Sequence, residues 1–178
     1  MNYIYYSLLM VLPFFIPIEL PEYIKIGNER TVEIGGDLAN GRQMNDLSWA
    51  WNSSNACFPA IRQEKFSGNH VLYYTDLPSY SEMEITLIPN DRTSNMSLYA
   101  YEVGKVTPQN TVPSLTQCIR CESDFKWEFK RRGKTQDHTR KVRNIVALKN
   151  PYQVVIGVAG AEKLTNGGYK LKIEIKKR

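Results

Sequence analysis

The strictest pattern in the chain lies near its end, where Tyr169, Leu171, Ile173 and Ile175 alternate with Lys170, Lys172 and Glu174. A period of two puts the apolar side chains on one face of a strand and the charges on the other. Glu82 to Ile88 alternates in the same way, with Met83, Ile85 and Leu87 opposite Glu82, Glu84 and Thr86. From Met96 to Val103, Met96, Leu98, Ala100 and Glu102 share one face, and Ser97, Tyr99, Tyr101 and Val103 share the other. Tyr152 to Val158 is an unbroken, β-branched run, the pattern of a central strand buried on both faces. His70 to Thr75, the short Thr31 to Ile34 and Asn144 to Leu148 add further strand candidates. Turn signals separate most of these runs: Gly35-Gly36, Asn40-Gly41, Pro89-Asn90-Asp91, Asn150-Pro151 and Asn166-Gly167-Gly168. The last of them predicts an antiparallel hairpin between the runs at 152–158 and 169–175. No long segment carries a 3.6-residue period. About seven to nine short strands at this spacing predict an all-β sandwich or barrel.

The 178 residues suffice for one domain with its own core. The 11 tyrosines, beside 6 Phe and 3 Trp, suit pleated, half-buried surfaces and strengthen the β reading. The first 18 residues hold no charge, and Tyr3 to Ile18 is apolar up to Glu19. That run is short for a membrane span and is broken by Pro13 and Pro17. Residues 1–22 are therefore expected to be a leader that exports the protein to the periplasm, the exterior or the cell surface. A membrane would be touched only through an uncleaved leader. A single sandwich is expected over 28–178, interrupted by a basic, cysteine-containing insertion at 105–143.

The net charge of +5 admits polyanion partners, polysaccharide more than nucleic acid, for which no recognition motif is present. Its densest source is the segment from Cys118 to Arg143, with nine Lys or Arg against four acids. Lys130, Arg131, Arg132 and Arg140 are the candidate contacts to phosphate or uronate there. Trp49 with Trp51, and Tyr99 with Tyr101, are spaced to share a strand face, either as stacking platforms for a ligand or as core. Cys57, Cys118 and Cys121 are the only cysteines. In an exported protein they predict one disulfide, from Cys57 to Cys118 or Cys121. Structural zinc would need these three with His70 or His138 as a fourth ligand, and a lone C-x2-C does not support it. Neither histidine is marked as catalytic. The chain lacks G-x-S-x-G, H-E-x-x-H, P-loop and G-x-G-x-x-G motifs. A non-enzyme is expected, the alternative being a hydrolase that uses His138.

Four segments together resemble the bacterial pre-peptidase C-terminal domain family: Met83 to Leu87, Ser97 to Tyr101, Val154 to Val158, and Gly168 to Ile173, the last as G-Y-K-L-K-I. The resemblance covers roughly residues 28 to 178. It implies a jelly-roll-like sandwich on an exported protein, an accessory module that binds substrate or matrix, sometimes with calcium. Asn95-Met96-Ser97 stands where the family usually carries an aspartate, so calcium is not supported. The expectation is thus an exported, non-catalytic β-sandwich that binds a glycan, matrix or cell-envelope component. A structural or assembly role in the envelope, through an envelope protein, is the alternative.

Overall fold

The computed structural model describes residues 20–129, 132–134 and 136–178. Most of the expected leader, and with it the reading of residues 1–19, lies outside the described residues.

Among the described residues, ten strands form two sheets. In chain order they are β1 (Glu22–Tyr23), β2 (Thr31–Asp37), β3 (Arg42–Gln43), β4 (Asn69–Leu77), β5 (Ser81–Pro89), β6 (Met96–Val103), β7 (Arg120–Asp124), β8 (Arg140–Ala147), β9 (Tyr152–Gly160) and β10 (Gly168–Lys177). The first sheet runs β1-β4-β9-β6-β7, with β3 also on β4, and the second runs β2-β10-β5-β8. The chain crosses repeatedly between the sheets, which gives the jelly-roll-like sandwich. All pairs are antiparallel except β1 with β4. Glu22–Tyr23 belongs to the first sheet and Ile24 is buried, so the described fold takes in residues upstream of 28.

Two apolar cores explain the two kinds of strand. Between the sheets, Met83, Ile85 and Leu87 of β5 and Leu171, Ile173 and Ile175 of β10 meet Met96, Leu98 and Ala100 of β6 and Val154, Ile156 and Val158 of β9. On the outer face of the first sheet, Tyr99, Tyr101 and Val103 of β6 and Val155 and Ala159 of β9 meet Leu47, Trp49, Cys57, Phe58, Phe66, Val112 and Leu115. Those partners come from two irregular segments, 44–66 and 105–118, which form a third layer over that sheet. The central strands of the first sheet, β6 and β9, are therefore apolar on both faces, whereas those of the second sheet keep one wet face. That wet face holds Glu84 between Lys141, Arg143 and Lys176, and pairs Glu82 with Arg178. Lys141, the nearest cation, holds the Glu84 carboxyl below its usual range.

One expectation fails. β9 and β10 do not form a hairpin: β9 lies between β4 and β6, and β10 between β2 and β5. A strand apolar on both faces needs cover on both, which only the middle of the first sheet provides. The alternating β10 suits a sheet with one face in water. Residues 161–167 carry the chain across the sandwich instead of turning tightly.

The sandwich is closed at the β7–β8 side by charged groups. β8 is an edge strand, bulged where Met83 pairs with Ile145 but Ile85 with Val142, with Asn144 at φ 64°. Asparagine tolerates this left-handed backbone, and a bulge hinders further strand pairing at the edge. Two N–H groups of β8 donate to carboxylates from the other sheet: Val146 to Glu102 Oε1 at 2.7 Å and Lys141 to Asp124 Oδ2 at 2.7 Å. Arg140 reaches back, donating from Nε to Met96 O at 3.0 Å.

Close approach decides one residue of β9. Tyr99 lies across Gly157, its direct neighbour on β6, and a Cβ there would sit 2.0 Å from the ring. Glycine is the residue that lets the ring lie flat on the sheet.

Candidate binding groove

The third layer does not cover all of the first sheet. Beyond its edge lies an open groove of about 890 Å3 over β4, within the size range of ligand sites. Its floor is His70 to Tyr73. One wall is Leu20, Pro21 and Glu22, the other is Asn40 to Asp46, and Thr111 to Ser114 closes an end. Exposed Glu22 and Arg42 bring opposite charges to the two walls, and Leu20, Met44 and Pro113 add apolar surface.

Much of this lining is held from behind. His70 is 3% exposed, with Nε2 2.7 Å from Phe66 O and Nδ1 3.1 Å from the Tyr99 hydroxyl. A carbonyl only accepts, so Nε2 carries the proton and Nδ1 accepts from Tyr99. Burial pushes the His70 pKa down to about 4, against its bond to Phe66, which pulls the other way. The imidazole is thus a neutral strut under the floor. The Tyr101 hydroxyl accepts from Val112 N–H at 3.2 Å and donates to Asn110 O at 3.3 Å, which fixes the end wall beside the cis Val112–Pro113 peptide. Asn55 donates to Trp49 O at 2.8 Å and Leu115 O at 3.3 Å, tying the two segments of the third layer together. Asp46 accepts from the backbone and hydroxyl of Ser48, and these bonds lower its carboxyl pKa.

The neutral His70 carries a pH prediction. The unfolded histidine takes its proton near pH 6.5, the native one only near 4. Stability is therefore full above pH 6.5 and falls as pH drops towards 4, by on the order of 3 kcal/mol. Urea unfolding at pH 7.5, 5.5 and 4.5 measures it. His70→Gln, neutral throughout, should show a shallower fall over this window; an identical fall would mean that His70 is not its source.

Of the two fates left open for the aromatic pairs, Trp49, Tyr99 and Tyr101 take core packing. Trp49 is in a short 3-10 turn, Ser48–Ala50, not on a strand, and is 3% exposed; Tyr99 and Tyr101 are 0% exposed. They pack around Trp49, with ring centres 5.3 Å and 6.4 Å from it. Trp51 is half-buried against Phe58 at 6.4 Å. The third layer, which the strand pattern did not announce, covers them.

The expected basic cluster divides as well. Arg140 is 2% exposed, and its donors are used internally: Nε on Met96 O, Nη1 on Asp137 O and Thr139 O, Nη2 on His138 Nδ1. It ties the sheets together and offers nothing to a ligand. Arg132 is exposed. Lys130 and Arg131 lie outside the described residues. His138 accepts from Arg140 at 2.9 Å, and burial together with that cation lowers its pKa. The nitrogen facing Arg140 is thereby taken. Among the described residues, no three His, Cys, Asp or Glu side chains group as metal ligands.

Cys57 and Cys121 form the disulfide, which leaves Cys118 as a partly buried thiol. Burial, and secondarily Glu102, push the Cys118 pKa up to about 11. A thiol so reluctant to ionise is a poor nucleophile.

Sequence reasoning missed the groove because Leu20 to Glu22, Arg42 and Ser114 have no common motif. They meet only because β1 and β3 flank the same edge of β4.

No family model matches the chain, and no curated protein matches it. Among solved structures, the pre-peptidase C-terminal domain of a Bacillus anthracis collagenase is similar at 11% identity and a TM-score of 0.42, covering 89% of this chain and 98% of that one. A periplasmic inhibitor of g-type lysozyme from Aeromonas hydrophila is similar at 10% identity and a TM-score of 0.41, over 88% and 96% of the two chains. The VP2 subviral particle of infectious bursal disease virus follows at 8% identity and a TM-score of 0.36, over 84% of this chain and 33% of that one. None of these likenesses assigns the chain to a family.

Proposed function

We propose that the protein is an exported, non-catalytic binding module of the cell envelope whose groove over β4 takes an extended polypeptide segment of a partner. The groove carries this reading. It combines apolar positions at Leu20, Met44 and Pro113 with the exposed carboxylate of Glu22 and the polar side chains of Asn45 and Ser114, a mixture suited to a peptide's side chains and its amino terminus. Sugar sites use exposed ring faces, and the aromatic side chains of the lining, His70 and Tyr73, are both 3% exposed. The reading therefore prefers a protein over a glycan within the envelope components considered. Export is supported by the Cys57–Cys121 disulfide, which persists in oxidising compartments, and by the uncharged apolar run Tyr3 to Ile18, a leader that on this reading is cut ahead of Leu20, since Leu20 to Glu22 line the groove. A structural role in envelope assembly is the same chemistry with a permanent partner. A hydrolase built on His138 draws no support from the geometry, because Arg140 holds one of its ring nitrogens.

Panning displayed random dodecapeptides on the immobilised, oxidised protein tests the reading. Peptides sharing an apolar anchor should be enriched. Ser114→Trp, at an exposed position of the end wall, should weaken their binding by about ten-fold or more, the scale of a lost anchor. Enrichment that Ser114→Trp leaves untouched, or binding of neutral oligosaccharides without peptides, would overturn it.

A further inference from the structure

The two edges of the second sheet differ. β8 is bulged and already gives N–H groups to Glu102 and Asp124. β2 pairs with β10 along all 7 of its residues without a register shift, and it holds neither a proline nor a residue at positive φ. Hydrogen bonds at its two ends, Ile175 N–H to Arg30 O and Leu38 N–H to Gly167 O, fix the phase of that ladder. The backbone groups of an antiparallel strand point to one side and then the other at alternate residues. Val32, Ile34 and Gly36 therefore bond to β10, while Thr31, Glu33, Gly35 and Asp37 turn their N–H and C=O outward. Among the described residues, no backbone group bonds to those of Thr31, Glu33, Gly35 or Asp37. Thr31, Glu33 and Gly35 are exposed, and Val32 and Ile34 are only partly buried. A regular edge of this kind is a template for another strand.

A second copy of β2 meets what this edge asks of a partner. Two antiparallel copies related by a two-fold axis must bring outward-facing residues opposite one another, so the central registers are those about Glu33, Ile34 or Gly35. About Glu33, two carboxylates would stand face to face. About Gly35, Glu33 would oppose Asp37. Like charges directly opposite are destabilising. About Ile34, β2 pairs along its whole length, with Glu33 opposite Gly35 and Thr31 opposite Asp37. Lys170 neighbours Gly35 on β10, and Lys172 neighbours Glu33. Each Glu33 then lies between Lys172 of its own copy and, across the glycine, Lys170 of the other. On the inner face the two Ile34 side chains meet and cover apolar surface that a single copy leaves partly open. We infer that the protein self-associates through β2, as a two-fold dimer centred on Ile34 that joins the second sheets of both copies into one. No residue of β2 lines the groove over β4, so this pairing and the groove stand or fall separately.

Sedimentation velocity of the oxidised protein from about 10 µM to about 1 mM, the range of a small strand-to-strand interface, tests the inference. The sedimentation coefficient should rise with concentration towards that of a dimer. Gly35→Pro removes an N–H that points away from β10, so it should keep the far-ultraviolet circular dichroism and the melting temperature. It takes a donor from the centre of the pairing in both copies and should weaken dimerisation about ten-fold or more. A side chain at position 35 would meet nothing within 4 Å in one copy, so a charge there reads the register. Gly35→Lys, opposite Glu33, should tighten the dimer about two- to five-fold, and Gly35→Glu should weaken it by a similar factor. A monomer at every concentration overturns the inference, as does a folded Gly35→Pro variant that dimerises as tightly as the unaltered protein. Weakening by lysine and glutamate alike also overturns it, since position 35 would then meet itself. Should the proline variant not fold, the lysine and glutamate variants decide.

Discussion

Replacing both Cys57 and Cys121 by serine should lower the stability of the protein by about 4 kcal/mol, the loop-closure entropy for a cross-link spanning a sequence separation of 64. For a domain of this size that corresponds to a fall in melting temperature of about 10 °C or more. The bond joins the third layer to β7, so the loss should be uneven. The layer is irregular chain around Trp49, Phe58 and Phe66, held by side-chain contacts, whereas the sheets have their own ladders. In the serine variant, tryptophan emission, two of whose three sources, Trp49 and Trp51, are in that layer, should shift at a lower urea concentration than the sheet circular dichroism. Coincident transitions with an unchanged midpoint would show that the bond adds nothing. The groove is a second readout, because its end wall, Thr111 to Ser114, belongs to the layer.

Arg140→Met should cost about 3 kcal/mol, although it replaces a charge by an apolar side chain of similar length. Buried Met96 O loses its donor, and an unsatisfied buried acceptor costs about 1–3 kcal/mol, while Asp137 O and Thr139 O lose theirs nearer to water. Arg140→Lys keeps the charge but not the planar fork that reaches four acceptors, and should fall between the two. Urea midpoints at constant slope measure the series. A methionine variant as stable as the original would mean that the guanidinium is not a staple, since apolar replacement of a buried ionic group is sometimes neutral. The same substitution frees His138 Nδ1 and removes the adjacent cation, so the His138 pKa should rise, which proton resonance of the ring would follow. The direction follows from the loss of Arg140's charge, one of the two main causes of its depression.

The alternating runs at 82–88, 96–103 and 169–175 and the continuous run at 152–158 specified their strands and the faces they bury, because side-chain direction in a strand follows from local geometry. These four runs and the shorter candidates at 31–34, 70–75 and 144–148 overlap seven of the ten described strands. The two-residue β1 and β3 are too short for any period, and β7 lay inside what reads as a basic, polar insertion. Which strand sits beside which was not local information. β9 and β10 look like a hairpin until both faces of β9 must be covered. Lone residues were the least legible. An arginine in a basic run and a tyrosine two residues from another look alike whether exposed or buried. Burial depends on segments that arrive from far along the chain: Met96 for Arg140, and residues 47–66 for Tyr99 and Tyr101.

The amino-acid sequence by itself determined the all-β class, the strands that carry the core, and the presence of a cysteine set fit for one disulfide. These depend on periodicity and residue chemistry, which act between near neighbours. Only the tertiary structure decided that Cys121 partners Cys57, that Arg140 and His70 are internal struts, and that β1 and β3 leave a groove on the edge of β4. Each of those outcomes depends on which distant segments meet, and that is settled by covering apolar faces and satisfying buried polar groups over the whole chain at once.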